Sequence, residues 1–460
     1  MKKLFALVLA AAMCLSAAAC GASAPASPAP APAAPASPAA PAPAPVPEPA
    51  KAVEINVVTT FAGTDGNGPN YQAGIKEWEA KSGNKVNDAS ATSEEAFKAR
   101  IMSDFETGAE PDVLFYFNGV DSNPFVEAGK VVSIEEIRKE YPEYGKNMKD
   151  GMLGASPIDG KNYSLPVNGY WEGLYVNKTV LADCSVKVPD ASYTWDQFLK
   201  DCETIKAKGY APIAASLAEV PHYWFEFSIY NHLTPATHNI LPKTADDEHG
   251  KAWISGMKDI KDLFEKGYFP ANTLSAKDED TVKMFVEGKA AFLIDGSWKV
   301  GNIEGNFVAK EGEAPDPEKI KNFTVTYVPG KNNRKATDII GGLSSGYFIT
   351  KKAWDDPAKR AAAVDFVTHM TSDAMVSKFA AVSATALVNG VTVDESKLSS
   401  LAKDGLALVK GATGMASAVQ DQIKPDCRVP LFDGMPKIVS GKVTPEAAVA
   451  ECLKLIAENA

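Results

Sequence analysis

Carboxylates, amides and aromatic rings are interleaved at several places along this chain. Asp65 and Asn67 lie in the polar run Gly63-Thr64-Asp65-Gly66-Asn67-Gly68-Pro69. Asn118 and Asp121 follow the apolar run Val113 to Phe117. Tyr170, Trp171 and Glu172 are consecutive, Tyr223-Trp224-Phe225-Glu226 forms a denser patch, and Asp295-Gly296-Ser297-Trp298 combines an acid, a hydroxyl and an indole. Carboxylates and amides fix hydroxyl groups through hydrogen bonds, while rings lie well against apolar C–H faces. A shaped cleft with few polar fixers is the general form of a small-molecule site. These residues therefore suit a neutral, polyhydroxylated solute.

Each set also has a plainer structural reading. Asp-Gly and Asn-Gly are ordinary turn pairs, which covers Asp65 and Asn67. Asn118 and Asp121 face the same choice, and Asp112 reads as a turn or cap residue. Tyr170 to Glu172 fit a half-buried strand, and Trp224 or Trp298 fit a core. Gly341 and Gly342 permit close backbone approach, as hinge or ligand contact, and Ser344 is a donor in the same loop.

Other chemistries find less support. His222 and Glu226 are four apart, but a zinc-peptidase pattern needs a second His at that spacing, and it is absent. No Gly-Lys-Ser/Thr follows Gly341-Gly342, so a phosphate loop fails. We find no nucleophile elbow, metal set or cofactor fingerprint, and predict no catalytic residue, cofactor or metal. A secreted carbohydrate-active enzyme would need two carboxylates about 5 to 9.5 Å apart. With 58 acids in the chain, that requirement discriminates nothing.

The elements that position these residues follow a strand–helix–strand order. Ile55 to Phe61 is β-rich. A helix follows with Tyr71, Ile75 and Trp78 on one face, closing near Gly83. A second helix from about Ser93 carries Phe97, Ile101 and Phe105 and stops at Gly108. Pro111-Asp112 leads into a buried-type strand, Val113 to Phe117, so the order predicts a parallel sheet. Leu174 to Val176, Ala211 to Ala214, Ala290 to Ile294 and Phe323 to Val328 read as further strands. Thr194 to Gly209, Ile254 to Gly267 and a segment starting at Asp356-Pro357 read as helices, and the chain is mainly helical from Leu398.

Composition bounds the class. Residues 51–460 exceed one ordinary core and imply two large lobes. The formal charge is −11, and −13 without Lys2 and Lys3 of the leader, which argues against nucleic acid. Cys184, Cys202, Cys427 and Cys452 remain in the body. Cys202 and Cys452 sit at helical spacing on apolar faces, as buried thiols do, and disulfide pairing stays open.

At the amino terminus Lys2 and Lys3 precede an apolar run, Leu4 to Leu15, too short to span a bilayer, then Ser16-Ala17-Ala18-Ala19-Cys20. This predicts a signal peptide over 1–19. The segment resembles a bacterial lipoprotein box, which implies acylation of Cys20. Residues 21–50 are almost entirely Ala, Pro and Ser, and at about 3.1 Å per residue such a tether reaches roughly 90 Å.

Several body segments together resemble the family 1 extracellular solute-binding proteins of carbohydrate ABC importers. They are Ile101 to Val113 (IMSDFETGAEPDV), Pro166 to Lys178 (PVNGYWEGLYVNK), Phe285 to Phe292 (FVEGKAAF) running into Gly296-Ser297-Trp298, Gly341 to Gly346 (GGLSSG), and Ser440 to Ala448 (SGKVTPEAA). The resemblance implies an α/β, two-lobed, periplasmic-binding-protein-like fold: a type II clamshell with hinge crossings between discontinuous lobes. Lobe one would hold 51–165 plus 348–390, and lobe two 166–347 plus 391–460. It implies a ligand cleft lined by loops after strands, with Trp298 beneath a sugar, Asp295 and Ser297 in support, Trp171 as a stacking ring and Glu172 as a hydroxyl acceptor. Asp65, Asn67, Asn118, Asp121, Tyr170, Trp224, Gly341, Gly342 and Ser344 complete the set. The partners implied are a sugar, most simply an oligosaccharide, and the membrane subunits of an importer. The place implied is the outer face of the membrane, held by lipid alone, or the periplasm, with the protein a monomer. The alternative within the same fold is a polyamine, phosphate ester or peptide ligand. Arg334 and Arg428 are the arginines placed for an anion, and a cation binder would want several acids around aromatics.

Overall fold

A computed structural model describes residues 52–459, apart from 64, 93–94, 149–152, 156–157, 168, 311–312, 344 and 384–392. The predicted leader, Cys20, the tether and Ser344 lie outside the described residues. Among the described residues twelve strands are defined in chain order: β1 (Glu54–Val58), β2 (Lys85–Asp88), β3 (Val113–Phe117), β4 (Gly154–Ala155), β5 (Asn162–Ser164), β6 (Tyr170–Asn177), β7 (Ala211–Ile213), β8 (Ala290–Gly296), β9 (Phe323–Thr326), β10 (Asp338–Gly342), β11 (Ser345–Ile349) and β12 (Gly414–Ala416).

They form two main sheets. The first has the order β11-β3-β1-β2, with β1 parallel to both β2 and β3 and β11 antiparallel to β3. Its apolar strands have no polar face to offer water, so helices cover both sides. Val113 and Phe115 face a core with Trp78, Trp354 and Phe366. Leu114 and Tyr116 face Phe97, Ile101 and Phe105. The second sheet has the order β12-β10-β6-β8-β7, with β9 also on β6. Here the strand–helix alternation is misleading. β6 is antiparallel to β8, β9 and β10, and only β7–β8 and β10–β12 run parallel. This sheet too is covered on both faces, by the core around Phe198, Trp224 and Trp253 and by that around Trp171, Leu401 and Leu408.

Local chemistry accounts for most element ends. The helix Trp195–Ala207 is capped by Thr194, which accepts from the Gln197 amide, and Gly209 beyond it has φ 92°. Asp356 caps the helix Pro357–Met370 in the same way. The helix predicted from Ile254 begins earlier, at Glu248, because Asp247 accepts from the Gly250 amide. The four body cysteines are buried free thiols.

Two connecting segments run side by side between the sheets. Leu165 bridges Tyr347 on one side, and Tyr170 and Trp171 pair with Gly342 and Gly341 on the other. At the carboxyl ends of the strands the two α/β bodies touch. The backbones of Gly66 and Gly301 approach so closely that a Cβ on either would fall within 2.5 Å of the other's Cα.

Trp171 marks how tightly the second body is packed. Its indole is 1% exposed and lies under the helix Ser400–Gly411, where a Cβ on Gly405 would come within 2.4 Å of it. Overpacking of this kind costs about 1–3 kcal/mol. Gly405→Val is expected to lower the free energy of unfolding by that amount in urea titrations. A variant as stable as the parent would mean that the Trp171 contact is loose.

Candidate functional site

The pleat of β6 decides which side chains can meet. Successive side chains point to opposite faces, so Tyr170, Glu172 and Leu174 share one face, and Trp171 and Tyr175 share the other. Glu172 pairs with Gly296 of β8, and directly opposed residues project to the same side. The Trp298 ring occupies the space over Gly296, where a Cβ would fall within 2.2 Å of it. Glu172 therefore stands beside the Trp298 indole, with Tyr170 two residues away on the same strand. The Tyr170 and Trp298 ring centres are 6.3 Å apart, and Tyr223 adds a third ring 6.2 Å from Trp298.

Tyr223 and Glu226 lie one turn apart on the helix His222–Tyr230. Glu226 is fully buried and uses both oxygens. It accepts from the Val419 and Gln420 amides, each at 2.9 Å, and meets His238 Nε2 at 3.1 Å. The Ala418 amide donates to the Tyr170 hydroxyl at 3.1 Å. Three consecutive amides thus clip the segment 418–420 to β6 and to this helix, which places Asp421 at the rim. There the Asp421 carbonyl faces Gly119 of the first body.

The first body contributes Asp121, buried, with Lys98 at 3.1 Å and Arg428 of the second body at 3.9 Å. Asn118 is half-buried and accepts from the Ser164 hydroxyl at 2.6 Å. Asp65 is half-buried and accepts from the Asn67 amide at 2.8 Å. Asn67 is buried, and its side-chain oxygen accepts from the Asn70 side chain at 3.0 Å.

Electrostatics follow from this crowding of acids. Burial pushes the Glu172 carboxyl well above its ordinary value, and the neighbouring Glu226, Asp295 and Asp421 push it further. Burial raises Asp421 to about 7, with Glu226 and Asp121 adding and Lys98 and Arg428 opposing. Asp65 rises to about 6, mainly through burial. Asp295 is raised by burial even though Lys299 stands 3.3 Å away. Lys299 is held protonated by Asp295 and Asp278 despite its own burial. Burial drives His222 down to about 3, so its ring is neutral.

Trp171 and Trp224 are not brought to this cluster. Trp171 faces the opposite side of the sheet, stacked 6.2 Å from Tyr175. Trp224 is 2% exposed and packs on Phe198 and Phe269. Ser297 is buried, with its amide donating to the Trp171 carbonyl at 2.8 Å, and Gly341 and Gly342 pair with β6. Sequence reasoning overlooked Asp421 and left Tyr223 and Glu226 in an aromatic patch. A single acid within the otherwise apolar stretch Tyr223–Phe227 was the available signal, since a buried carboxylate needs partners.

Two hollows lie elsewhere, one of about 510 Å³ between residues 191–196 and 330–337, and one of about 640 Å³ along residues 279–307. None of the ring and carboxylate residues above lines either. Among the described residues no three His, Cys, Asp or Glu are grouped to hold a metal ion, and no helix is long and apolar enough to cross a membrane.

Comparison with known proteins bears on the family and the fold. Residues 62–376 match the family model described as bacterial extracellular solute-binding protein. The multiple sugar-binding protein of Streptococcus mutans is 26% identical over 220 residues, covering 45% of this chain and 48% of that protein. The melibiose/raffinose/stachyose-binding protein MelE of Bacillus subtilis is 22% identical over 273 residues, covering 55% and 58%. The chain thus spans about half the length of the curated relatives it matches. Among solved structures, a chitin oligosaccharide binding protein superposes with a TM-score of 0.75 at 23% identity, covering 88% of this chain and 98% of that one. Maltose-bound MalE3 of T. maritima gives 0.69 at 15% identity, covering 89% and 100%. At these identities the structural likenesses establish the fold, a two-lobed α/β architecture.

The crowded carboxyls provide a test independent of these likenesses. Glu172 stays protonated in the fold at pH values above about 4.5, where the unfolded chain ionises it. The folded state then binds more protons than the unfolded one, so stability falls as pH rises from there. Glu172→Gln removes that loss. Its melting temperature is expected to gain on the parent's as pH is raised from about 4 to about 8. A constant gap across that range would show that Glu172 is not held neutral.

Proposed function

We propose that this chain, which belongs to the bacterial extracellular solute-binding protein family, captures a sugar between its two α/β bodies and delivers it to an ABC importer. The sugar is an oligosaccharide in this reading. The observation that carries it is the ring set Tyr170, Tyr223 and Trp298, gathered beside Glu172 at the carboxyl end of β8. Indole and phenol faces cover the apolar C–H side of a pyranose, and the carboxyls and amides at the rim take its hydroxyls. Loops of the first body, carrying Asp65, Asn118 and Asp121, supply the opposite wall.

Lobe one comprises 51–165 and 348–390 together with the start of β11 from Ser345, which pairs with β3, and lobe two comprises 166–342 and 391–460. The paired connections Leu165–Tyr170 and Gly342–Tyr347 act as the hinge. Cys20 is acylated, and the Ala/Pro-rich tether lets the monomeric body stand clear of the outer membrane face. The protein binds and passes on its ligand without chemical turnover. The relatives named for binding melibiose, raffinose and stachyose, and the structural neighbours named for chitin oligosaccharide and maltose, support the sugar class.

Trp298→Ala is expected to weaken sugar binding by about 2 kcal/mol, on the order of thirtyfold in Kd, while cooperative unfolding is retained. Titration calorimetry against a sugar panel measures it. Unchanged affinity would remove Trp298 from the site, and turnover of the sugars on incubation would overturn the binding-protein reading.

A further inference from the structure

We infer that the sugar taken by this site carries a protonated amine, which Glu172 receives between the Trp298 and Tyr170 rings. The inference rests on the sugar-binding reading and narrows its substrate class.

Glu172 differs from the other buried acids of the molecule. It is 2% exposed, its Oε2 has no partner, and no cation or donor approaches it among the described residues. Elsewhere, buried carboxylates are provided for. Glu226 holds two amides and His238. Asp112 holds the Asn56 amide at 2.7 Å and Lys359 at 2.6 Å. Glu110 holds Lys130 at 3.0 Å. Asp295 has Lys299, and Asp121 has Lys98 and Arg428. A carboxyl buried without a partner costs several kcal/mol if charged. Other buried atoms also lack a partner, Trp224 Nε1 and Asp278 Oδ1 among them, but each of the other buried acids above keeps at least one amide or cation, and a buried carboxyl without either calls for a partner from outside.

The surroundings favour a cation as that something. The cations at the site are already committed: Lys299 to Asp278 and Asp295, and Lys98 and Arg428 to Asp121. A neutral ligand would leave Glu172, with Glu226, Asp295 and Asp421 nearby, to be protonated and to give one hydrogen bond. An ammonium restores the charge of Glu172 and forms a charge-assisted bond. It would also lie against ring faces, which attract cations through their quadrupoles. Rings and an unpaired carboxylate together are the elements of ammonium recognition.

The test uses the full mature protein and matched ligands. Short glucosamine and galactosamine oligomers would be compared by calorimetry with their N-acetylated forms and with the hydroxyl analogues of the same linkage. An amine preference on the order of tenfold or more is expected. It should collapse to about unity in Glu172→Gln, a near-isosteric change that keeps a hydrogen-bonding side chain; thermal unfolding would check that the variant folds. Neutral sugars binding as tightly as the amines would overturn the inference and leave the sugar reading standing. A preference that survives Glu172→Gln would overturn the assignment to Glu172. If no sugar binds while a polyamine does, the sugar reading itself falls, and this inference with it.

Discussion

The alternation of side chains along β6 is the constraint on which the site depends. This strand is paired to β10 and β9 on one side and β8 on the other, so its register cannot shift without turning every side chain to the wrong face. That register sends Trp171 and Tyr175 into the packing beneath the helix Ser400–Gly411 and leaves Tyr170 and Glu172 on the face where Trp298 lies. Gly296 is part of the same arrangement, because a side chain there would occupy the volume of the indole. One aromatic of an adjacent pair therefore packs within the body, and the other joins the ring cluster around Trp298.

A second requirement is that buried carboxylates be satisfied. Glu226 meets it by drawing the amides of Val419 and Gln420 onto its two oxygens. This fixes a short turn far along the chain and sets Asp421 at the rim, facing Gly119 of the other body. Asp121 meets it in part, with Lys98 at 3.1 Å on its own side and Arg428 across the same boundary at 3.9 Å, an ion pair longer than a hydrogen bond. The contact between the bodies is thus partly electrostatic and held by buried groups, where screening by salt is weak. Glu172 is the exception: no amide or cation approaches it among the described residues.

The two bodies are joined by connections that pair with each other rather than cross independently. Leu165 with Tyr347 and Tyr170 with Gly342 form one narrow ribbon between two sheets, each covered on both faces. The apolar surface of each sheet is buried within its own body. Glycines at 341 and 342 keep side chains out of that ribbon, where a Cβ at 341 would crowd the Tyr170 carbonyl.

Elements specified by short-range chemistry were legible without coordinates. Val113 to Phe117 is an apolar run behind Pro111-Asp112, and it is the strand observed. Thr194 and Gly209 bracket their helix as caps and stops should. The α/β class and the spread of acids among aromatics also followed from residue types and periodicity. Only the tertiary structure decided which aromatics gather beside Glu172, since Trp171 and Trp298 carry similar local signals and differ by strand register and by the glycines opposite them. It alone decided that the second sheet is largely antiparallel, and that Gly414–Ala416 forms a strand, because that strand exists through its pairing with Asp338–Ile340. Asp421 was beyond reach for the same reason: its turn is fixed by Glu226, 193 residues before Val419. Periodicity and capping are properties of neighbours in the chain. Burial, charge crowding and cross-strand opposition are properties of neighbours in space, and the site is made from the latter.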